Sequence, residues 1–150
     1  MGHSYSSCLI HYVFSTKDRR KCIPAELRER LWPYIGGIAR ENDFKALTVG
    51  GTDDHGHVLA SLPATLSVAK AVQLLKGGSS GWVHEMFPAH AGFAWQEGYG
   101  AFSIGVSGVA DTIRYIDAQE EHHRTTTFMD EYRAFLRRHG IEYDERYVWG

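Results

Sequence analysis

The sequence predicts an α+β protein of one domain, built around a small antiparallel sheet. Its 150 residues fall within the usual size of a single domain. The hydrophobic share of 43% is ordinary for a globular protein and too high for a disordered one. Short runs rich in β-branched and aromatic residues alternate with segments of helical period, and the first six follow the β-α-β-β-α-β order of a ferredoxin-like sheet.

The first half of the chain is predicted to hold three strands and one long helix. The strands cover residues 7–14, 44–49 and 55–62, the helix runs from residue 24 to about residue 41, and residues 50–54 form a loop. Pro33 falls inside the helical pattern, so we expect a kink or two short helices there.

The second half is predicted to hold three helices and one or two short strands. Ser67 caps a helix that continues to about residue 87, with glycine interruptions over residues 77–81. The strands lie within residues 93–104. Ser107 is expected to cap the next helix, and the last helix covers residues 128–139 before a closing glycine.

Composition excludes several classes of protein. No apolar run approaches the ~20 residues of a membrane helix, and the N-terminus lacks the pattern of a signal peptide. Two cysteines are too few for a disulfide framework, so we expect a cytoplasmic protein.

The net charge of −2 argues against a simple basic clamp for nucleic acid, but the charge is unevenly distributed. Residues 1–84 carry a net charge of +3 and residues 85–150 a net charge of −5. We therefore expect a polyanion site in the first half, with the acidic tail held away from it. We expect one domain over residues 1–150, with a core of about residues 1–125 and a C-terminal helix and acidic tail over about residues 126–150.

The motif His55-Gly56-His57 lies on a predicted strand. Residues i and i+2 of a strand share a face, so the two imidazoles lie side by side and suit neighbouring ligands of one divalent ion. Two polar histidines on an exposed strand face are the alternative. The adjacent acids Asp53 and Asp54 could tune such a site, although solvation in a loop is the simpler interpretation.

A second pair, Tyr115 and Gln119, is spaced i and i+4 on a predicted helix. The two side chains stack on one face, beside the apolar stripe and within reach of a cleft. A tyrosine at the edge of an amphipathic helix, with its hydroxyl in water, is the alternative. His122 and His123 diverge by about 100° on a helix and do not readily chelate one ion.

Two segments are candidates for nucleic-acid binding. One is the charged stretch with Lys17, Arg19, Arg20 and Lys21. The other supplies charge from Lys70 and Lys76, small residues at Gly77, Ser79 and Ser80 that could admit a phosphate to the backbone, and Trp82 for stacking on a base. A solvated charged face and a glycine-kinked core helix are the alternatives.

Together these motifs resemble the single-tyrosine HUH transposases that act on single-stranded DNA, including the REP-associated tyrosine transposases. The resemblance extends over almost the whole chain. It is carried by residues 11–17 (HYVFSTK), 54–57 (DHGH), 66–70 (LSVAK), 75–80 (LKGGSS), 95–99 (WQEGY), 115–119 (YIDAQ) and 142–147 (EYDERY).

The resemblance implies a ferredoxin-like fold with an added C-terminal helix that carries the catalytic tyrosine. It assigns Tyr115 as the nucleophile, and His55, His57 and Gln119 as ligands of Mg²⁺ or Mn²⁺. It further implies a homodimer that acts at the nucleoid on single-stranded DNA with hairpin ends, through a 5′-phosphotyrosine intermediate. A non-catalytic or domesticated hairpin-binding relative, and a small metal-dependent hydrolase, are the rival hypotheses.

The sequence departs from the family pattern at Gly56, where a bulky hydrophobic residue is usual. Its side chain would face away from the metal, so the ligands are retained. We expect a loss of about 0.5–1 kcal/mol of strand stability, more if a cavity is left, and a weakened but assembled site.

Overall fold

The computed structural model describes residues 2–150 and contains one four-stranded sheet. The strands are β1 (Leu9–Ser15), β2 (Lys45–Gly51), β3 (His55–Ser61) and β4 (Gly100–Ile104). Their order is β2-β3-β1-β4, and every neighbouring pair is antiparallel. The predicted α+β fold with an antiparallel sheet is therefore confirmed.

In the described residues, five α-helices accompany the sheet: α1 (Ala25–Glu41), α2 (Val68–Met86), α3 (Val109–Asp117), α4 (Gln119–His122) and α5 (Phe128–Arg138). Among the described residues, no helix combines the length and the apolar character that a membrane span requires. Ser67 caps α2 by accepting a hydrogen bond from the backbone N–H of Lys70, as predicted.

The expected division of the first helix into two is wrong, because α1 continues through Pro33. Its buried stripe contains Leu27 and Leu31 before the proline and Ile35 after it. Packing of this stripe outweighs the one hydrogen bond that proline removes.

The expected glycine interruption of α2 is also wrong, because the helix runs unbroken for 19 residues. A Cβ atom at Gly78 would lie only 2.9 Å from Cδ1 of Ile38 on α1. Glycine at this position thus allows the two helices to approach each other, and tertiary packing retains the helix despite the low propensity of glycine.

Strand β2 includes Gly50 and Gly51, which were predicted to lie in a loop. A Cβ atom at Gly50 would lie 2.7 Å from the carbonyl oxygen of Ile116, so glycine lets α3 cross the sheet closely. The hydroxyl of Thr48 on β2 donates to Asp117 on α3 over 2.6 Å. Gly108, not Ser107, stands at the start of α3, and no side chain caps it.

The two faces of the sheet have different coverings. Tyr12 and Phe14 of β1 belong to the core beneath α1 and α2. Val13 points to the opposite face and packs with Phe128, Phe135 and other apolar residues of α5. Because side chains alternate along a strand, the histidines of β3 share the face of Val13 and lie beneath α5.

Candidate active site

His55 and His57 lie side by side on the face of β3 that α5 covers. They pair across the sheet with Ser15 and Val13 of β1. Both side chains are fully buried, and their ring centroids are 5.1 Å apart. The alternative of two exposed polar histidines is therefore wrong.

Gly56 faces the other side of the sheet, where the indole of Trp32 lies against it. A Cβ atom at Gly56 would be 3.3 Å from Cζ3 and 3.4 Å from Cη2 of Trp32. The possible unfilled cavity is thus absent at this position, because the tryptophan from α1 occupies the space that a larger residue would take.

His55 has oxygen atoms at both ring nitrogens. Nδ1 lies 2.7 Å from Oδ1 of Asp54 and 3.0 Å from Oγ1 of Thr52, and Nε2 lies 2.9 Å from Oε1 of Gln119. Although burial opposes ionisation, the hydrogen bond and charge of His55 hold the pKa of Asp54 below its usual range. Asp54 therefore orients the imidazole, and its interpretation as a merely solvated loop residue is wrong.

His57 is held between His11 and the last helix. Its Nδ1 lies 2.8 Å from Nε2 of His11, and its Nε2 lies 3.0 Å from Oε1 of Glu131. Burial lowers the pKa of both imidazoles, that of His11 to about 3. The hydrogen bond between His57 Nδ1 and His11 Nε2 contains one hydrogen, which either ring can supply. If His57 supplies it, its Nε2 presents a lone pair to Glu131, and if His11 supplies it, the Nε2 of His57 carries a hydrogen.

Tyr115 reaches the same site from α3. Its hydroxyl donates a short hydrogen bond to Oε2 of Glu131, and Nε2 of His122 lies 3.4 Å away. Burial, reinforced by the Glu131 carboxylate, raises the pKa of Tyr115 above its ordinary value. The hydroxyl is engaged inside the protein, so the alternative of a tyrosine hydroxyl in water is wrong.

Gln119 lies one turn beyond Tyr115, but the two do not share a continuous helix. The chain departs from helical geometry at Ala118, between α3 and α4. Gln119 is 1% exposed, and its Nε2 donates to the Tyr115 carbonyl over 3.4 Å and to Oε2 of Glu131 over 3.2 Å. The structure therefore brings Tyr115, His55, His57 and Gln119 to one site.

Glu131 and His123 are site residues that the sequence reasoning missed. Glu131 is 3% exposed, and although burial opposes ionisation, the imidazoles around it, that of His57 first, hold its pKa far below the usual range. His123 Nε2 lies 3.1 Å from Oε2 of Glu131 but has no hydrogen-bond partner of suitable geometry among the described residues. A charged residue within the apolar stripe of α5, beside Phe128, Tyr132 and Phe135, was the available signal.

Four donor atoms in this site could hold one metal ion. They belong to His55, His57, His123 and Glu131, and all lie within 4.8 Å of one another. His122 faces Tyr115, and its Nε2 lies 3.5 Å from Oε2 of Glu131, the same oxygen that His123 approaches.

Cavities flank the site on two sides. One of about 380 Å³ is lined by Tyr115, His11 and Glu131. Another of about 560 Å³ is lined by Asp54, His123 and Lys21 among others. A larger groove of about 1000 Å³ runs between α1 and α2, and none of the four donor residues lines it.

The charged stretch after β1 lies beside the site. Lys17, Arg20 and Lys21 are exposed, and Lys21 lines the cavity next to His123. The guanidinium of Arg19 lies over the indole of Trp149, 5.4 Å from its centroid. Of this stretch, Lys21 therefore comes nearest to the donor cluster through the cavity that it shares with His123.

The candidate DNA-binding residues of α2 belong to the helix layer on the other face of the sheet. They are Lys70, Lys76, Gly77, Ser79, Ser80 and Trp82. The expectation of a backbone cradle for phosphate is wrong, because the N–H groups of residues 77–80 lie within the helix interior and bond to preceding carbonyls.

Three of these side chains already have partners within the protein. Ser79 is fully buried and accepts a 2.9 Å hydrogen bond from the indole of Trp95, so a contact between Ser79 and DNA is excluded in this structure. Lys76 donates to the carbonyls of residues 97 and 98, and burial lowers its pKa to about 8. Trp82 stacks on Tyr34 with a centroid separation of 4.2 Å.

Comparisons with known proteins show which family and fold the chain shares. The family model "Transposase IS200 like" matches residues 4–119. The transposase for insertion sequence element IS200 of Salmonella typhimurium is 29% identical over 87 residues, 58% of this chain and 57% of the relative, and the Salmonella typhi protein gives the same values. The matched segment thus spans little more than half the length of these relatives.

Two solved structures share the fold. A Deinococcus radiodurans crystal structure described as a transposase has a TM-score of 0.63 and 22% identity, covering 79% of this chain and 96% of its own. The REP-associated tyrosine transposase bound to a REP hairpin has a TM-score of 0.59 and 15% identity, with coverages of 82% and 73%.

Proposed function

We propose that this chain, which belongs to the family of IS200-like transposases, cleaves and rejoins single-stranded DNA through a covalent bond to Tyr115. The observation that carries the proposal is the convergence of the Tyr115 hydroxyl, two buried imidazoles and the Gln119 amide on one carboxylate-bearing site. A nucleophile next to a ready set of metal donors is the arrangement that phosphoryl transfer requires.

In the proposed reaction, the Tyr115 oxygen forms a bond to the scissile phosphorus, and the bond from phosphorus to the 3′ oxygen breaks. The products are a 5′-phosphotyrosine and a free 3′-OH, so the phenolic proton is balanced by the proton on the released hydroxyl. One phosphodiester replaces another, and attack by a 3′-OH reverses the step without ATP. Because the raised pKa keeps Tyr115 a neutral phenol at rest, the proton must leave as the oxygen attacks.

His55, His57 and the Gln119 amide oxygen would hold a divalent metal ion in this scheme. When bound, the ion supplies Lewis-acid stabilisation of the charge that develops on the scissile phosphate. The residues fit such an ion, because Nε2 of both histidines faces an oxygen atom and Nε2 of His123 is buried with no hydrogen-bond partner of suitable geometry in residues 2–150. Asp54 and His11 hold the rings from behind and set their orientation.

We propose single-stranded DNA with hairpin ends as the substrate, in line with the hairpin bound by the REP-associated relative. Lys17, Arg20 and Lys21 are the proposed phosphate contacts, because they are exposed and Lys21 lines the cavity next to His123. The homodimer implied by the family resemblance stays a proposal. The donor set and Tyr115 already meet within one chain.

The test uses single-stranded hairpin oligonucleotides drawn from the DNA that flanks the gene, incubated with the full chain and Mn²⁺. We expect a protein–DNA adduct that survives SDS, its loss in Tyr115→Phe, and its retention in Tyr147→Phe, which alters an exposed tyrosine. An adduct that persists in Tyr115→Phe contradicts the proposal.

A non-catalytic hairpin-binding protein is the second candidate. It is favoured by one observation, the engagement of the Tyr115 hydroxyl by the buried Glu131 carboxylate. This candidate predicts hairpin binding that is equal in the wild type and Tyr115→Phe, with no adduct in either.

A further inference from the structure

The residues from 120 onward add donors to the metal site. The family model ends at Gln119, whereas His123 follows α4 and Glu131 lies on α5. Both side chains point into the cluster around His55 and His57. The cluster of donor atoms in this chain is thus built partly from a segment that the family match does not include.

The distances among these donors suit a single ion. Oε1 of Glu131 lies 3.0 Å from Nε2 of His57 and 3.5 Å from Nε2 of His55, and Oε2 lies 3.1 Å from Nε2 of His123. With metal–ligand bonds of about 2.1 Å, neighbouring ligands lie about 3.0 to 3.4 Å apart and opposite ligands about 4.2 Å apart. All four donor atoms lie within 4.8 Å of one another, a span close to that of opposite ligands on one ion.

The electrostatics of the cluster also call for a cation. The Glu131 carboxylate is buried, and a buried charge is costly unless an opposite charge compensates it. Among the described residues, His123 Nε2 has no hydrogen-bond partner of suitable geometry although it lies beside the carboxylate, as expected of a ligand atom.

We infer that His123 and Glu131 are metal ligands of this chain, so that the ion is held by three imidazoles and one carboxylate. This inference rests on the metal dependence of the proposed function and specifies its ligand set. Three nitrogen donors favour a transition-metal ion such as Mn²⁺, Co²⁺ or Zn²⁺ over Mg²⁺, which prefers oxygen. Gln119 Oε1, 2.9 Å from His55 Nε2, stands beside these four as a fifth donor.

The test measures binding of Mn²⁺ alone to the metal-free full chain by titration calorimetry. We expect the dissociation constant to rise at least about 10-fold in Glu131→Gln and in His123→Asn. Asp130→Asn is the matched control, because this exposed carboxylate neighbours Glu131 on α5, and its constant should stay within about 2-fold. Electron spin-echo spectroscopy of bound Mn²⁺ should report three imidazole nitrogens in the wild type and two in His123→Asn.

Two results would overturn the inference. One is unchanged Mn²⁺ affinity in both variants together with two imidazole nitrogens in the wild type. That result leaves His55, His57 and Gln119 as ligands and leaves the proposed function intact. The other is the absence of Mn²⁺ binding by the wild type.

The nitrogen count of the wild type tests His123 even if the His123 variant fails to fold, and the Mn²⁺ affinity of Glu131→Gln tests the carboxylate. A wild type that shows three imidazole nitrogens but forms no DNA adduct would instead contradict the proposed function and support the ligand set.

Discussion

The contact between Gly56 and Trp32 makes a quantitative prediction about the strand that carries both histidines. In Gly56→Val, the Cβ atom would lie 3.3 Å from the indole, and the γ carbons extend about 1.5 Å further. Overpacking of this kind costs about 1–3 kcal/mol, against a gain of about 0.5–1 kcal/mol from removing a strand glycine. We therefore expect a net loss of about 1–2 kcal/mol in the free energy of unfolding.

Gly56→Val should change the free energy of unfolding in the opposite direction when the indole of Trp32 is absent. In Trp32→Ala, the space beside Gly56 is open, so the added valine should be neutral or stabilise by about 0.5–1 kcal/mol. The expected coupling energy is about 2 kcal/mol, measured by urea unfolding of the metal-free wild type, both single variants and the double variant. Costs that add to within about 0.5 kcal/mol would refute the idea that Trp32 fills the place of a larger residue.

Three further predictions concern other parts of the molecule. Because burial lowers the pKa of His11 to about 3, its stabilising contribution is full above pH 6.5 and is lost as the pH falls toward 3. His11→Leu should accordingly reduce the pH slope of the unfolding free energy by about 1.4 kcal/mol per pH unit between pH 6 and 4, and an unchanged slope would exclude a buried neutral imidazole. Ser79→Ala should destabilise by about 1–3 kcal/mol in urea by removing the acceptor for Trp95, whereas a loss of hairpin affinity at unchanged stability would restore a DNA role for Ser79. Lys21→Ala should reduce the slope of log affinity for single-stranded DNA against log salt concentration by about 0.7, and Lys70→Ala should leave this slope unchanged. The reverse pattern in a filter-binding titration would place the DNA on α2.

Periodicity and strand alternation predicted the elements of the sheet layer, because these patterns report directly on which side chains are buried. They failed where a tertiary contact overrides a local preference. Pro33 and Gly78 both lie within continuous helices, since α1 and α2 pack against the sheet and against each other. Gly50 was predicted to lie in a loop, but it lies in β2, where the missing side chain allows α3 to cross closely.

The candidate site also contains residues that local patterns predicted and residues that only tertiary contacts bring to it. His55, His57, Tyr115 and Gln119 were identified because each pair has a short spacing that places both members on one face. Glu131 could not be identified by spacing, since it is 74 residues from His57 and reaches the site through the packing of α5.

The sequence alone did not decide whether Asp54 and His11 belong to the site. Asp54 adjoins His55 in sequence, and a loop carboxylate is solvated far more often than it is bound to a ring nitrogen. His11 alternates with apolar residues on β1, and only the register of the sheet brings it to His57. Both contacts depend on tertiary geometry that composition and motif spacing do not contain.

The central claim is that the Tyr115 hydroxyl oxygen is the nucleophile that forms the covalent bond to DNA. The most direct measurement is tryptic mass spectrometry of the SDS-stable adduct after nuclease trimming. Because the chain contains eight tyrosines, the site of linkage is informative. We predict a 5′-phosphonucleotide attached to the peptide that contains Tyr115, and a linkage at any other residue would contradict the claim.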